Sequence, residues 1–307
     1  MLPTSRILSA LLAGLGVALV VAGLLAPRVL IDGSRLPLTL GNATWTVHDP
    51  DGTKDGNPAP VTHQLHMDIQ NPSNGDVASV RVGDTLRAGE SGSDFDDLVS
   101  ASTWSFQLDR VTGEAKGPAD VQLVMAMPSA TVPVEGVWLK FPSPVKRDAV
   151  AVFDPVLRGS AAAEFVGEEE IAGRTVYRFR QEIAPTNVAM RYADMRNTLT
   201  VEGERTFLFH TALRELLVDQ VTGVVVGIDE KVDDFYGTLE GRGVQNVVTY
   251  DGAMDRAQTE EILGRLDGSN VAGGLLVGRW VVVGIGALLS ALGLIGALRP
   301  GRSSTSA

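Results

Sequence analysis

Cysteine is absent from the 307 residues. Within this sequence that excludes disulfides, thiolate metal sites, a cysteine nucleophile and lipid attachment through a cysteine side chain. Stability must therefore come from packing. Basic residues are scarce: 26 Lys and Arg stand against 37 Asp and Glu, a net charge of −11. No basic patch offsets this, so nucleic acid is not an expected partner, because its phosphates demand a basic surface. Repeats at a period of 20 to 50 residues are also missing, which argues against solenoids and propellers.

Charge is wholly absent from two long stretches, Ile7 to Leu25 (ILSALLAGLGVALVVAGLL) and Trp280 to Leu298 (WVVVGIGALLSALGLIGAL). At about 1.5 Å per residue, a helix of either length approaches the roughly 30 Å hydrocarbon core of a bilayer. A cleaved secretory signal would have a shorter apolar region and a small-x-small cleavage site. The first run instead ends in Leu24-Leu25-Ala26-Pro27, so an uncleaved anchor is expected. Arg6 precedes the first run, while Arg299 and Arg302 follow the second, which places both short tails in the cytoplasm. The expected organisation is a tail at 1–6, a transmembrane helix at 7–26, an extracytoplasmic β-rich domain at 27–270, a second transmembrane segment at 271–298 with its core at 280–298, and a tail at 299–307. Localisation is then the plasma membrane, crossed twice, with the main domain outside.

Small residues recur at every fourth position in both runs: Ala10, Gly14, Ala18 and Ala22 in the first, Gly286 with Ser290 and Gly293 with Ala297 in the second. Such stripes let helices approach closely. Gly14, Ala18, Gly286, Ser290 and Gly293 are the candidate packing positions. They serve either contact between the two spans or docking on a larger membrane protein.

Between the runs, β-favouring segments alternate with Pro, Gly, Asn and Asp clusters, so a mainly antiparallel β (α+β) domain is expected. The segments are Leu36–Leu40, Thr44–Val47, Val61–Met67, Val77–Val82, Thr103–Leu108, Val137–Phe141, Ala149–Phe153, Ala162–Val166, Thr175–Phe179, Thr198–Val201, Phe207–Phe209, Val224–Ile228 and Val244–Tyr250. Two short helices are expected, at Ser93 to Ser100 and at Met254 to Leu266. Asp109-Arg-Val-Thr-Gly113 recurs as Asp219-Gln-Val-Thr-Gly223. Both read as hairpin turns with glycine at a positive-φ position, arising either from an old duplication or from two similar turns in one sheet.

Chemistry-bearing motifs are sparse. His63-x-x-His66 would point its rings to opposite faces of a strand, which argues against a metal site. Asp49, Asp51 and Asp55 resemble the start of a calcium loop, but Lys54 stands where glycine is needed and Pro60 where glutamate is needed, leaving a solvated turn. Gly89-Glu-Ser91-Gly-Ser93 lacks the final glycine of a nucleophile elbow. No phosphate loop, dinucleotide fingerprint or paired-carboxylate motif appears, and the acids read as an ordinary solvated surface. Neither an enzyme nor a cofactor is expected. The aromatics Trp104, Phe106, Trp138, Phe141 and Phe153 fall in expected strands and serve either as sheet core or as the lining of an apolar cavity. Trp138, Phe153, Phe141 and Trp104 are the candidate lipid-binding residues.

The layout, together with Lys140-Phe141-Pro142, Phe153-Asp154, Gly173-Arg-Thr-Val-Tyr-Arg-Phe179 and Asp219-Gln-Val-Thr-Gly223-Val-Val, resembles an actinobacterial envelope family labelled porin PorA. The likeness implies a two-span envelope protein linked to polar growth, to delivery of trehalose monomycolate beside the mycolate flippase, and to lipoglycan assembly. An envelope glycolipid, the membrane and a membrane lipid transporter are the partners it implies. The porin label conflicts with the helical runs, because an outer-membrane channel needs a closed barrel of roughly ten-residue strands with an apolar outer band. The function expected is therefore non-enzymatic binding or handing over of an envelope lipid, or else a scaffold that organises envelope synthesis without lipid.

Overall fold

A computed structural model describes residues 4–30, 35–91, 96–123, 129–266 and 271–298, which divide into two compact units. One unit is a helix pair, α1 (Thr4–Leu30) and α3 (Val271–Leu298); the other is the β-rich domain between them, which also holds α2 (Arg256–Leu266).

Both α1 and α3 are long and apolar enough to cross a membrane, with apolar windows at Leu8–Leu25 and Gly278–Gly296. They pack antiparallel, and glycine sets how closely. A Cβ on Gly16 would collide with Gly286 and Ser290, one on Gly286 would meet Gly16 O and Val20 N at 2.7 and 2.9 Å, and one on Gly293 would meet Ser9 O at 2.7 Å. Gly23 faces Val283 in the same way. The buried positions Gly16 and Gly23, and Gly286 and Gly293, are each seven residues apart. That spacing keeps one stripe facing its partner when helices cross at a shallow left-handed angle. Gly286, Ser290 and Gly293 thus lie against α1. For the first helix, contact with the second span is corrected: a Cβ on Gly14 would meet open space and Ala18 is exposed, because the 10-14-18-22 stripe lies on the other side of α1 from Gly16 and Gly23, which leaves docking on a larger membrane protein as the alternative for that stripe.

In the domain, fifteen strands among the described residues form one sheet. In chain order these are β1 (Asn42–Asp49), β2 (Thr53–Lys54), β3 (Asn57–Pro58), β4 (Val61–Gln70), β5 (Val77–Ala88), β6 (Leu98–Asp109), β7 (Ala119–Gln122), β8 (Ala130–Val132), β9 (Val150–Asp154), β10 (Gly159–Ile171), β11 (Arg174–Asn187), β12 (Thr198–Val201), β13 (Glu204–Asp219), β14 (Val225–Gly237) and β15 (Gly243–Met254). Hydrogen bonding follows the order β8-β7-β6-β5-β4-β1-β15-β14-β13-β11-β10-β9, antiparallel throughout. This path is two six-stranded meanders side by side, each reading in reverse chain order. In each, the Asp-x-Val-Thr-Gly turn joins the fourth strand to the fifth. The register agrees as well, since Val77 pairs with Asp109 and Val176 with Asp219. The topology sides with duplication rather than with two similar turns.

Both turns are built alike. The Asp109 and Asp219 carboxylates accept backbone N–H groups of their own turns, and Gly113 and Gly223 have φ of 76° and 70°. Together they grip the segment after β8: Phe141 N donates to Gly223 O at 2.6 Å, and Ser143 N to Val111 O at 3.0 Å. Lys140 Nζ, almost fully buried, donates to Val111 O, Phe141 O and Ser143 Oγ. A side chain on either glycine would strike the Lys140 or Phe141 carbonyl.

Several expected elements differ. Val137–Phe141 makes only isolated bridges, at Val137 to Val152 and Lys140 to Val224, because its backbone groups are divided among β9, the start of β14 and the second turn. Leu38–Leu40 is a 3-10 turn, with Leu36 N bonded to Arg110 O instead of to a neighbouring strand. Of the helix expected at Ser93–Ser100, residues 93–95 lie outside the described residues, and Leu98 to Ser100 open β6, where Leu98 pairs with Arg87 and Ser100 with Leu86. Asp49 is not a solvated turn residue. It is buried and accepts the N–H groups of Asp51 and Asp251.

The sheet curls until its inner face meets itself. Trp104 on β6 touches Phe153 on β9 with ring centroids 5.4 Å apart, and Trp138 joins both at 5.7 and 5.6 Å. Edge strands β8 and β9 are not bonded to one another. Outward faces carry ion pairs such as Arg178 with Glu215 and Glu169, both at 2.6 Å.

Candidate functional site

The inner face alternates as a strand should, but charges occupy several inward positions. In β13 the inward row is His210, Ala212, Arg214, Leu216 and Val218; in β14 it includes Ile228, Glu230, Val232 and Asp234. Curling brings these rows against β4, β5 and β9 and joins the charges into a chain. Asp84 Oδ1 lies 3.0 Å from His63 Nε2, and His63 Nδ1 lies 2.6 Å from Glu230 Oε2. Glu230 Oε1 accepts from Arg214 Nε at 2.5 Å, and Asp154 Oδ2 accepts from Arg214 Nη1 at 2.6 Å. Asp154 Oδ2 is also 3.3 Å from His210 Nε2, and His210 Nδ1 is 2.6 Å from Asp234 Oδ1. Tyr250 Oη donates to Glu230 Oε2 at 2.9 Å, and Gln181 Nε2 to Val152 O at 2.8 Å.

His63 lies between two carboxylates, which only accept, so both its ring nitrogens act as donors; His210 bonds Asp234 through Nδ1 and has Asp154 within ion-pair distance of Nε2, and the carboxylates around each ring favour the imidazolium. Burial alone would lower the His63 pKa, but Glu230 and Asp84 outweigh it and raise it to about 10. His210 is likewise raised to about 10, by Asp234 and Asp154 against burial. Asp154 and Glu230 are fully buried, which would raise their carboxyls, yet Arg214 and the histidines hold both well below the usual range. The expectation that acids form an ordinary solvated surface fails for these residues. Inward placement at a period of two was the signal available in the sequence, hidden because β13 and β14 extend well beyond the segments first recognised.

Above this chain opens a cleft of about 340 Å³, at the low end of small-molecule pockets. Asp84 and Asp234, the two ends of the ion chain, form part of its wall. Arg158 and Arg196 form another part. Arg158 stacks on Tyr192, 3.7 Å from the ring centroid, and shares Asp194 with Arg196 at 3.7 and 3.3 Å. Tyr236 Oη fastens this loop by donating to Arg196 O at 2.7 Å. Apolar walls come from Leu86, Val99, Leu208 and Val247. The cleft lies where β5 and β14 end and β6 and β13 begin. Both chain exits of the domain are at the opposite end, where Leu36 N bonds Arg110 O and Arg265 Nη1 donates to Asn42 O at 2.9 Å.

The four candidate lipid-binding aromatics separate. Trp104 lines the 340 Å³ cleft. Trp138 and Phe153 line an inner cavity of about 30 Å³, room for one or two waters but not for an acyl chain. Phe141 is buried against Phe179, centroids 4.9 Å apart, away from both. His63 points inward and His66 outward, where it meets Thr44 Oγ1 at 2.7 Å. Among the described residues no cluster of His, Asp and Glu suits a metal ion.

No curated protein matches the chain. A family model described as Porin PorA matches residues 8–295, from within α1 to within α3. That match and the two apolar helices mark a membrane-associated protein. Covering nearly the whole sequence, the match shows that the chain belongs to the Porin PorA family.

Proposed function

We propose that this is a non-enzymatic envelope protein, anchored by α1 and α3 with both termini cytoplasmic, whose external domain binds an amphiphilic lipid in the 340 Å³ cleft and hands it on. The observation that carries the reading is the cleft itself, part apolar and part charged, at the end of the domain opposite its chain exits. A mixed wall of this kind suits a molecule with a polar head and an apolar body. The carboxylates beside both inner histidines favour the imidazolium, a form with no lone pair for general base work, which supports carriage over catalysis. A lipid transporter in the same membrane is the partner this role calls for. Channel formation by the strands has no support in a sheet whose outer face is ion-paired.

Native mass spectrometry of the full chain, extracted gently from its host membrane, tests the proposal. A lipid adduct that survives removal of bulk detergent is expected; bare protein in repeated preparations would count against it. A scaffold role is favoured by one feature, Met190 and Met195, each 76% exposed on the loop beside the cleft. Methionine is flexible and polarizable and recurs at adaptable protein-binding surfaces. If Met190→Glu and Met195→Glu abolish partner pull-down in a chain that carries no lipid, the scaffold reading replaces the carrier.

A further inference from the structure

Building on the lipid-carrier reading, we infer that the cleft selects a zwitterionic head group, one bearing both an ammonium and a phosphate-like oxyanion. Four formal charges line the cleft, two of each sign: Asp84 and Asp234, Arg158 and Arg196. The carboxylates are backed by His63 and His210, with only one oxygen of each engaged by the ring in the contacts above. Along the buried chain, Asp84, Glu230, Asp154 and Asp234 outnumber His63, Arg214 and His210 by four to three. The inner wall therefore keeps an uncompensated negative charge in a low-dielectric setting, which a ligand cation would neutralise. On the Arg158 side the balance is reversed, because two guanidiniums share the single carboxylate of Asp194. That side offers planar donors suited to an oxyanion.

An uncharged sugar fits less well. Its faces are commonly met by open aromatic rings, and of the rings on this wall Tyr192 is covered by Arg158 at 3.7 Å, Trp104 is buried against Trp138 and Phe153, and Tyr236 is tied to Arg196 O. Enclosing four charges around hydroxyls alone would also leave their desolvation only partly offset. A purely anionic head would satisfy the arginines and be repelled by Asp84 and Asp234.

The test is competitive native mass spectrometry of the full chain in detergent micelles, offered equal amounts of phosphatidylethanolamine, phosphatidylglycerol and a diglucosyl diacylglycerol with identical acyl chains. Phosphatidylethanolamine should be retained in excess of the others by about tenfold, as expected for one well-placed charged hydrogen bond. Arg196→Gln, on a side chain 45% exposed and so tolerated by the fold, should erase that excess, and Asp234→Asn should do the same from the other wall. The circular-dichroism spectrum should stay unchanged in Arg196→Gln. If phosphatidylglycerol or the sugar lipid is held as well as phosphatidylethanolamine, or Arg196→Gln leaves the preference intact, the inference is overturned while the carrier reading stands. If the wild type retains none of the three, both fall.

Discussion

Arg214 is the residue on which the domain interior depends most, because its guanidinium answers two buried carboxylates at once, Glu230 and Asp154. Arg214→Met should cost about 3–5 kcal/mol in chemical denaturation, since it strands buried charge. Arg180→Ala, whose partner Glu215 lies on the outer face, should cost less than about 1 kcal/mol. The histidines fix the pH dependence. Their folded pKa values lie above the unfolded one, so their contribution is complete below about pH 6.5 and is lost as pH rises towards about 10. Lys140 acts in the opposite sense: burial lowers its pKa to about 7, so its contribution improves between about pH 7 and the ordinary lysine value. Two groups outweigh one, and the melting temperature should fall from pH 7 to pH 9.5. In Lys140→Met the fall should steepen, and in His210→Gln it should flatten; the reverse order would show that these rings are not held as imidazolium.

Among elements, the helix pair and the paired turns make separate predictions. Because the chain has no cysteine, a cysteine pair introduced at facing non-glycine positions of α1 and α3 reports their contact without background. Gly16→Leu or Gly286→Leu should abolish its oxidative cross-link, whereas Gly14→Leu should leave it intact. At the turns, Gly113→Ala and Gly223→Ala combine a left-handed φ with a collision against the clamped 140–141 carbonyls. Each should lose more than the ~1 kcal/mol of conformational strain alone in a denaturation curve. The turns were legible in the sequence because Asp and Gly each do a local job there. So were the two apolar runs, the antiparallel class and α2, all set by composition or short-range period. The Val137–Phe141 segment was misread because its residues favour strands while its hydrogen bonds are divided among β9, β14 and a turn distant in sequence. The first-helix stripe was misread because small residues at every fourth position line one side of α1 while the glycines that meet α3, Gly16 and Gly23, lie on the other.

For the whole molecule, two six-stranded meanders enclose one interior, and the cleft is formed by both. Residues 84–104 come from the first meander, 155–158 and 192–247 from the second or its loops. No short window of sequence could reveal such a site. Arg214 and Glu230 are cross-strand partners on β13 and β14, and His63 and Asp84 are neighbours on β4 and β5, but only the curl joins these two pairs to each other and to Asp154, and Arg158 meets Tyr192 only through the loop after β11. The same geometry separates core from cleft among the aromatics. Trp138→Glu and Phe153→Glu should abolish the melting transition, because each places a charge in a filled cluster. Survival of the fold with loss of lipid would instead return these two residues to the binding site. The most direct measurement of the central claim is lipid retention, by native mass spectrometry, in a chain whose cleft has been filled from its apolar wall by Leu208→Trp, with Val247→Trp as a second filler. The account predicts an unchanged circular-dichroism spectrum and no lipid adduct in either variant. A folded variant that still carries the wild-type amount of lipid would contradict it.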